Sequence, residues 1–206
     1  IAGREVLEGN CFGAWLRPIS EQPEGELLPR HMLTASKAPL EVLDIVDVPL
    51  KRHAGDRCHP EDWIIDTAAP WKKRKKLARK NLGGLEETPN DLWVEKAAHT
   101  DRATGGFLKR QRRHQSLYLI RPTNFRVELT NQKKRRACFT YRGHAFSLGL
   151  TDPVFIDPHA KEFPAPDEPA IVIRPSFGDN CLLCVSLTPE FHGYHYKVVA
   201  AVLELP

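Results

Sequence analysis

The sequence predicts a mainly β protein built as two small β modules in tandem, with one short basic helix, and three observations predict it. First, a strand that runs into Arg-Pro occurs twice, as WLRP at residues 15–18 and LIRP at 119–122. Second, short apolar stretches with period-two alternation recur between turn residues, the pattern of half-buried strands. Third, prolines break up what lies between them, with five in residues 152–170, too many for a helix. The second Arg-Pro strand sets the expected boundary, with a first module over 1–115 and a second over 116–206.

The elements follow in order. Residues 12–17 alternate Phe12, Ala14, Leu16 against Gly13, Trp15, Arg17, which suits a strand that Pro18 would end. Residues 20–39 hold Pro23, Gly25, Pro29 and Pro39 among charges and read as an irregular connection with a turn of helix near Leu33. Residues 42–48 and 63–66 read as strands. Trp71, Ala78 and Leu82 give residues 71–82 a thin helical stripe with a basic outer face, stopped by Gly83-Gly84. Residues 92–95 close the first module as a strand, and the polar stretch 96–115 is the crossover.

In the second module Phe125, Val127 and Leu129 alternate with polar neighbours, and residues 137–141 and 144–150 form a hairpin about Arg142-Gly143. Strands at 171–174, 181–187 and 194–205 complete the count of a small barrel. A five-stranded Greek-key barrel of the OB type fits this order. In that fold oligonucleotides lie on strands 2 and 3, between the loops joining strands 1 to 2 and 4 to 5. With 125–129 as strand 1 those loops are 131–136, which carries KKRR, and 188–193, which carries Phe191 and His192.

Composition bounds the function. An apolar fraction of 41% in 206 residues builds ordinary cores, and no run approaches the roughly 20 apolar residues of a membrane span. Five cysteines at scattered positions do not make a secreted disulfide framework, so the cytoplasm is the expected compartment. Residue 1 is Ile, and the chain is expected to begin within a longer product. The net charge of +4 is modest, but cations cluster at 72–80, 109–113 and 133–136, and clusters attract polyanions better than uniform charge does.

Metal and catalytic patterns are weak. Cys181-x-x-Cys184 followed by His192-x-x-His195 has the ligand types of a tetrahedral zinc site. In a continuous strand the two thiols point to opposite faces, however, and only a bulge would bring them together. Asp44 and Asp47 are separated in the same way. No phosphate loop, GxSxG elbow or HExxH helix occurs, and neither a cofactor nor a metal is expected.

The segments WLRPIS (15–20), LDIVDVPL (43–50), SLYLIRP (116–122), RRACFTYRGHAF (135–146), TDP (151–153) and CLLCVSLTPEFHGYHYKVVAAVLE (181–204) together resemble the dual OB-containing domain family of prokaryotes over essentially the whole chain. The resemblance implies two OB-like barrels and nucleic-acid recognition, often beside genes of defence against foreign DNA. It carries over no catalytic residues.

The expectation is therefore a non-enzymatic protein that binds DNA or RNA. Lys133, Lys134, Arg135, Arg136, Arg112 and Arg113 would meet phosphates, and Tyr141, Phe191 and His192 would meet bases. Two rivals are a protein-interaction subunit of a larger assembly and an unrecognised hydrolase. No membrane role is expected.

Overall fold

The structure, a computed structural model, describes every residue except 9–10, 33, 35–38, 97–98, 112–114 and 160–161. It is mainly β. The chain packs as two compact units. The first holds Ile1–Leu85 and the short stretch that ends at Ser116; the second holds the chain from Glu86 up to that stretch, and then Leu117–Pro206.

In the first unit β1 (Gly3–Val6) and β2 (Phe12–Ile19) are antiparallel, β2 runs parallel to β5 (Asp62–Ile65), and β4 (Leu50–His53) is antiparallel to β5, giving the order β1-β2-β5-β4. Pro18 lies inside β2 and does not end it. The Arg17 N–H donates to the Glu61 carbonyl on the β5 side, so the N–H that proline lacks would point to the other side, where β1 has already ended opposite Leu16. Trp15, Ile64, Ile65, Trp71, Leu82 and Leu85 are buried, and Arg4 stacks its guanidinium 5.6 Å from the Trp15 ring centre. The buried Glu61 carboxylate accepts hydrogen bonds from the Ser116 hydroxyl and, at 3.2 Å, its N–H.

The basic run departs from its expected helix. Residues 71–82 divide into a strand, β6 (Lys72–Lys76), and the start of a 3-10 helix over Arg79–Leu85. β6 pairs antiparallel with β3 (Asp44–Asp47). A stripe of three apolar residues across twelve positions was too thin to anchor a helix, and acidic β3 supplies both a ladder and counter-charges. Residues 92–95 form no strand; Leu92 and Trp93 are simply buried.

The second unit contains β7 (Arg102–Thr104), α1 (Gly105–Lys109), β8 (Leu117–Ile120), β9 (Thr123–Leu129), β10 (Arg135–Tyr141), β11 (His144–Leu150), α2 (Pro153–His159), β12 (Ile171–Ile173), β13 (Cys181–Phe191) and β14 (Tyr194–Glu204). The sheet order is β12-β9-β10-β11-β14-β13-β8, with β7 added on β14. Its central path, β9-β10-β11-β14-β13 with β11 and β14 parallel, is the 1-2-3-5-4 order of an OB barrel. Among the described residues hydrogen bonds do not close that barrel: the ladder is open, ending at β12 and β8. The chain itself passes from β8 through Arg121 and Pro122 into β9. There Pro122 has no N–H to give, and those of Asn124 and Phe125 go to the Asp179 carboxylate at 2.9 and 2.7 Å.

The first unit repeats four strands of this path, since β1-β2-β5-β4 has the same sequence of antiparallel, parallel and antiparallel pairs as β10-β11-β14-β13. By that correspondence WLRP lies in the counterpart of β11, whereas LIRP ends β8. The two Arg-Pro stretches therefore do not occupy equivalent positions.

Alternation builds the second core as expected. Phe125, Val127 and Leu129 from β9, Ala137, Phe139 and Tyr141 from β10, and Phe146, Leu148 and Leu150 from β11 are all buried, each large side chain contributing about 2 kcal/mol. Phe139 and Phe146 stack at 5.4 Å. Asp152 starts α2: one carboxylate oxygen accepts the N–H groups of Val154 and Phe155, and the other accepts that of Val202 on β14. Among the described residues no helix is long and apolar enough to cross a membrane.

Candidate nucleic-acid interface

The outer face of the second sheet is defined by residues opposite to the core ones. On β9 these are Arg126 and Glu128, on β10 Arg136 and Cys138, on β11 Ser147 and Gly149; the register places Arg136 beside Glu128 and Gly149, and Cys138 beside Arg126 and Ser147. The edge of β14 holds β11 at Val198 and Val199 and β7 at Tyr194 to Tyr196. Tyr194 and Tyr196 share the outer face with Val198, while His195 and Lys197 turn inward and are buried.

Hydrogen bonds and ion pairs tie this face together. The Arg136 guanidinium donates to the Ser147 hydroxyl at 3.2 Å and to the Ser147 carbonyl, and lies 3.8 Å from the Asp101 carboxylate. Asp101 pairs with Arg102 at 2.9 Å, which holds Arg102 above its ordinary pKa. Arg102 in turn lies 5.4 and 5.0 Å from the ring centres of Tyr194 and Tyr196. Arg126 pairs with Glu128 at 2.9 Å. The result is a row of arginines and half-exposed tyrosines, oriented by two carboxylates.

Two loops bound the row. Residues 131–134 turn between β9 and β10, with Lys133 in the left-handed region at φ 57° and Lys133 and Lys134 exposed. The β13–β14 turn has His192 at φ 50° and Gly193 at φ 81°, the geometry of a two-residue hairpin loop. It holds Phe191 61% exposed, its ring 4.1 Å from that of His192. β10 is antiparallel to β9 and β11, and β14 is parallel to β11. The turns therefore lie at opposite ends of β10, whose seven residues span roughly 20 Å.

Six of the residues expected to bind fall on this surface or its rim. Lys133, Lys134, Phe191 and His192 are exposed at the turns, and Arg136 lies on the face. Arg135, at the start of β10, has its guanidinium 4.6 Å from the Phe163 ring centre. Tyr141 does not: it is 8% exposed on the core side, and its hydroxyl donates to the Pro89 carbonyl at 2.8 Å, so its ring is no platform for a base. Arg112 and Arg113 lie outside the described residues. Sequence reasoning missed Arg102, Arg126, Tyr194 and Tyr196. The alternation of Tyr194 and Tyr196 with His195 and Lys197 was the available signal, but it names a shared face without saying which side is buried.

The Cys and His set does not converge. Cys181 pairs with Glu204 and Cys184 with Ala201 in unbroken register, so their side chains project to opposite faces of β13. The nearby register shift skips Ala200 on β14 and leaves β13 continuous. His195 pairs with Glu190, roughly 20 Å along the strand from Cys184. Burial pushes both thiols up to about 12, away from the thiolate that binds metal. Among the described residues no three His, Cys, Asp or Glu side chains form a cluster able to hold a metal.

Neither a curated protein nor a solved structure matches the chain. The family model of the dual OB-containing domain matches residues 1–202, a span that takes in both units, and the chain belongs to that family.

Proposed function

We propose that the protein is a non-enzymatic nucleic-acid-binding protein of the cytoplasm and that its second unit binds a strand along β10, between the two turns. The observation that carries this reading is the row Arg126, Arg136, Arg102, Tyr196 and Tyr194 on the side of the OB strands where oligonucleotides lie, with Lys133 and Lys134 at one end and Phe191 at the other. Arginines and lysines meet phosphates, and the tyrosine faces and Phe191 stack on bases, a division that favours an unpaired strand. In the setting that the family resemblance implies, defence against foreign DNA, such a surface serves recognition and not cleavage.

Anisotropy with labelled single-stranded DNA and RNA oligonucleotides across a salt series tests it. Lys133→Ala with Lys134→Ala should weaken binding and flatten the log–log salt slope by about 0.7 for each phosphate no longer neutralised, with the melting temperature unchanged because both lysines are exposed. Including Arg135 and Arg136 would confuse the result, since both are engaged on the protein. Tyr196→Ala should weaken binding by about tenfold or more, one base stack, and leave the salt slope as it was. A parent protein that binds neither oligonucleotide at low salt would sink the proposal.

A further inference from the structure

The basic run at 72–76 is left unused by the surface on the second unit, and its form in the first unit is unusual. β6 is five consecutive cations, Lys72, Lys73, Arg74, Lys75 and Lys76, and all five are exposed. Its partner β3 and β6 make a two-stranded ribbon that shares no ladder with the four-stranded sheet. The ribbon is pinned by ion pairs: Lys73 to Asp44 at 2.9 Å, Arg74 to Asp47, and Lys76 to Glu41 at 2.6 Å.

Those pairs fix where the cations point. Asp44 and Asp47 are three apart on an extended strand and project to opposite faces. Lys73 follows Asp44 and Arg74 follows Asp47, so consecutive cations leave the ribbon on opposite sides. The register permits this, because β6 spends Arg74 as an extra residue between Lys75, opposite Ile45, and Lys73, opposite Val46.

We propose that the β3–β6 ribbon is a second polyanion site, independent of the one on the second unit, and that its partner is double-stranded DNA. A ribbon with cations on both faces matches a ligand with phosphates on both sides. The major groove of B-form DNA, about 12 Å wide, admits a two-stranded β-ribbon between its two phosphate rows. A single strand offers one row, and the major groove of A-form RNA is too narrow to enter. The paired carboxylates of Glu41, Asp44 and Asp47 then have two effects. They hold the cations in place, and they compete with phosphates for them: the hydrogen bonds from Lys76 and Arg74 keep the carboxyls of Glu41 and Asp47 below their ordinary range, so both are charged at neutral pH. The side chains of Glu41 and Asp47 are 60% and 49% exposed, which lets an incoming phosphate displace them.

The test uses the full chain and three labelled probes: a 20-base-pair DNA duplex, the same duplex as RNA, and one DNA strand. Lys72→Ala with Lys75→Ala should weaken duplex DNA binding several-fold and flatten its salt slope by about 0.9 for each phosphate no longer neutralised, without changing single-strand binding. Glu41→Gln with Asp47→Asn should strengthen duplex DNA binding several-fold, a gain that misfolding does not produce. The proposal is overturned if either double variant binds duplex DNA like the parent at every salt concentration, or if duplex RNA binds as tightly as duplex DNA. Lys133→Ala with Lys134→Ala separates the two sites, since it weakens only the single-strand probe if both proposals hold.

Discussion

Asp152→Ala will destabilise the protein by about 3 kcal/mol in urea unfolding. Asp152 is 5% exposed, and its two oxygens accept three backbone N–H groups: those of Val154 at 2.9 Å and Phe155 at 3.3 Å, which open α2, and that of Val202 at 2.8 Å on β14. Removing an N-cap costs about 1 kcal/mol. Leaving the Val202 N–H without an acceptor adds about 1–3 kcal/mol, because that group is desolvated whether or not it is bonded. Asp152→Asn keeps one acceptor oxygen and turns an amide toward the remaining donors, so it should recover only part of the stability. An unfolding midpoint for Asp152→Ala equal to that of the parent would show that α2 is held by packing alone.

The second large effect is a pH dependence centred on Lys197. This residue is 1% exposed on the inner face of β14. Its ammonium donates to the Thr100 carbonyl at 2.8 Å and lies 5.8 Å from the Phe146 ring centre. Burial lowers its pKa from the ordinary 10.5 to about 8, opposed by the carboxylates of Asp101, Asp91 and Glu95. In the unfolded chain the group keeps its proton up to the ordinary value; in the folded chain it loses it from about 8 upward. Between those limits the unfolded state binds more protons, so stability rises with pH through this window, and the cost of burying the charge is fully present below it. The gap corresponds to on the order of 3 kcal/mol. Lys197→Met removes the titration and keeps the shape. Relative to that variant the parent should gain stability from pH 7 to 10.5, and a difference that stays flat would refute the assignment. Cys181 and Cys184, whose thiols are pushed up, pull stability the opposite way in the same range, but both proteins contain them and the comparison cancels them.

The meander from β9 to β11 was legible because its side chains alternate strictly and one face is aromatic. Arg142-Gly143 marked its hairpin because both residues adopt positive φ, 49° and 79°. The β6 strand was not legible. Lysine and arginine are good helix formers and lysine is depleted in strands, so local preference favoured a helix, and the acidic strand that decides the matter lies about thirty residues earlier in the chain. The hydrogen bond that the Val202 N–H donates to Asp152 joins residues too far apart for any local pattern to indicate. At the candidate interface the loop cations were visible as a charge run. Arg102 was not, because its stacking on Tyr194 and Tyr196 depends on β7, which the polar stretch 96–115 gave no reason to expect.

Residues from Glu86 onward fold with the second unit, whereas the stretch ending at Ser116 folds with the first. Genetic dissection meets that interleaving directly, because no single cut yields two intact pieces. A fragment beginning at Leu117 lacks β7 and the carbonyl of Thr100, so β14 keeps a bare edge at Tyr194 to Tyr196 and the Lys197 ammonium loses the carbonyl it donates to. A fragment ending at Leu85 leaves the Glu61 carboxylate buried without Ser116. Excising either half as a recombinant reagent therefore calls for a graft: the second unit with residues 86–111 spliced ahead of Leu117 through a short loop, and the first with the stretch that ends at Ser116 supplied in the same way.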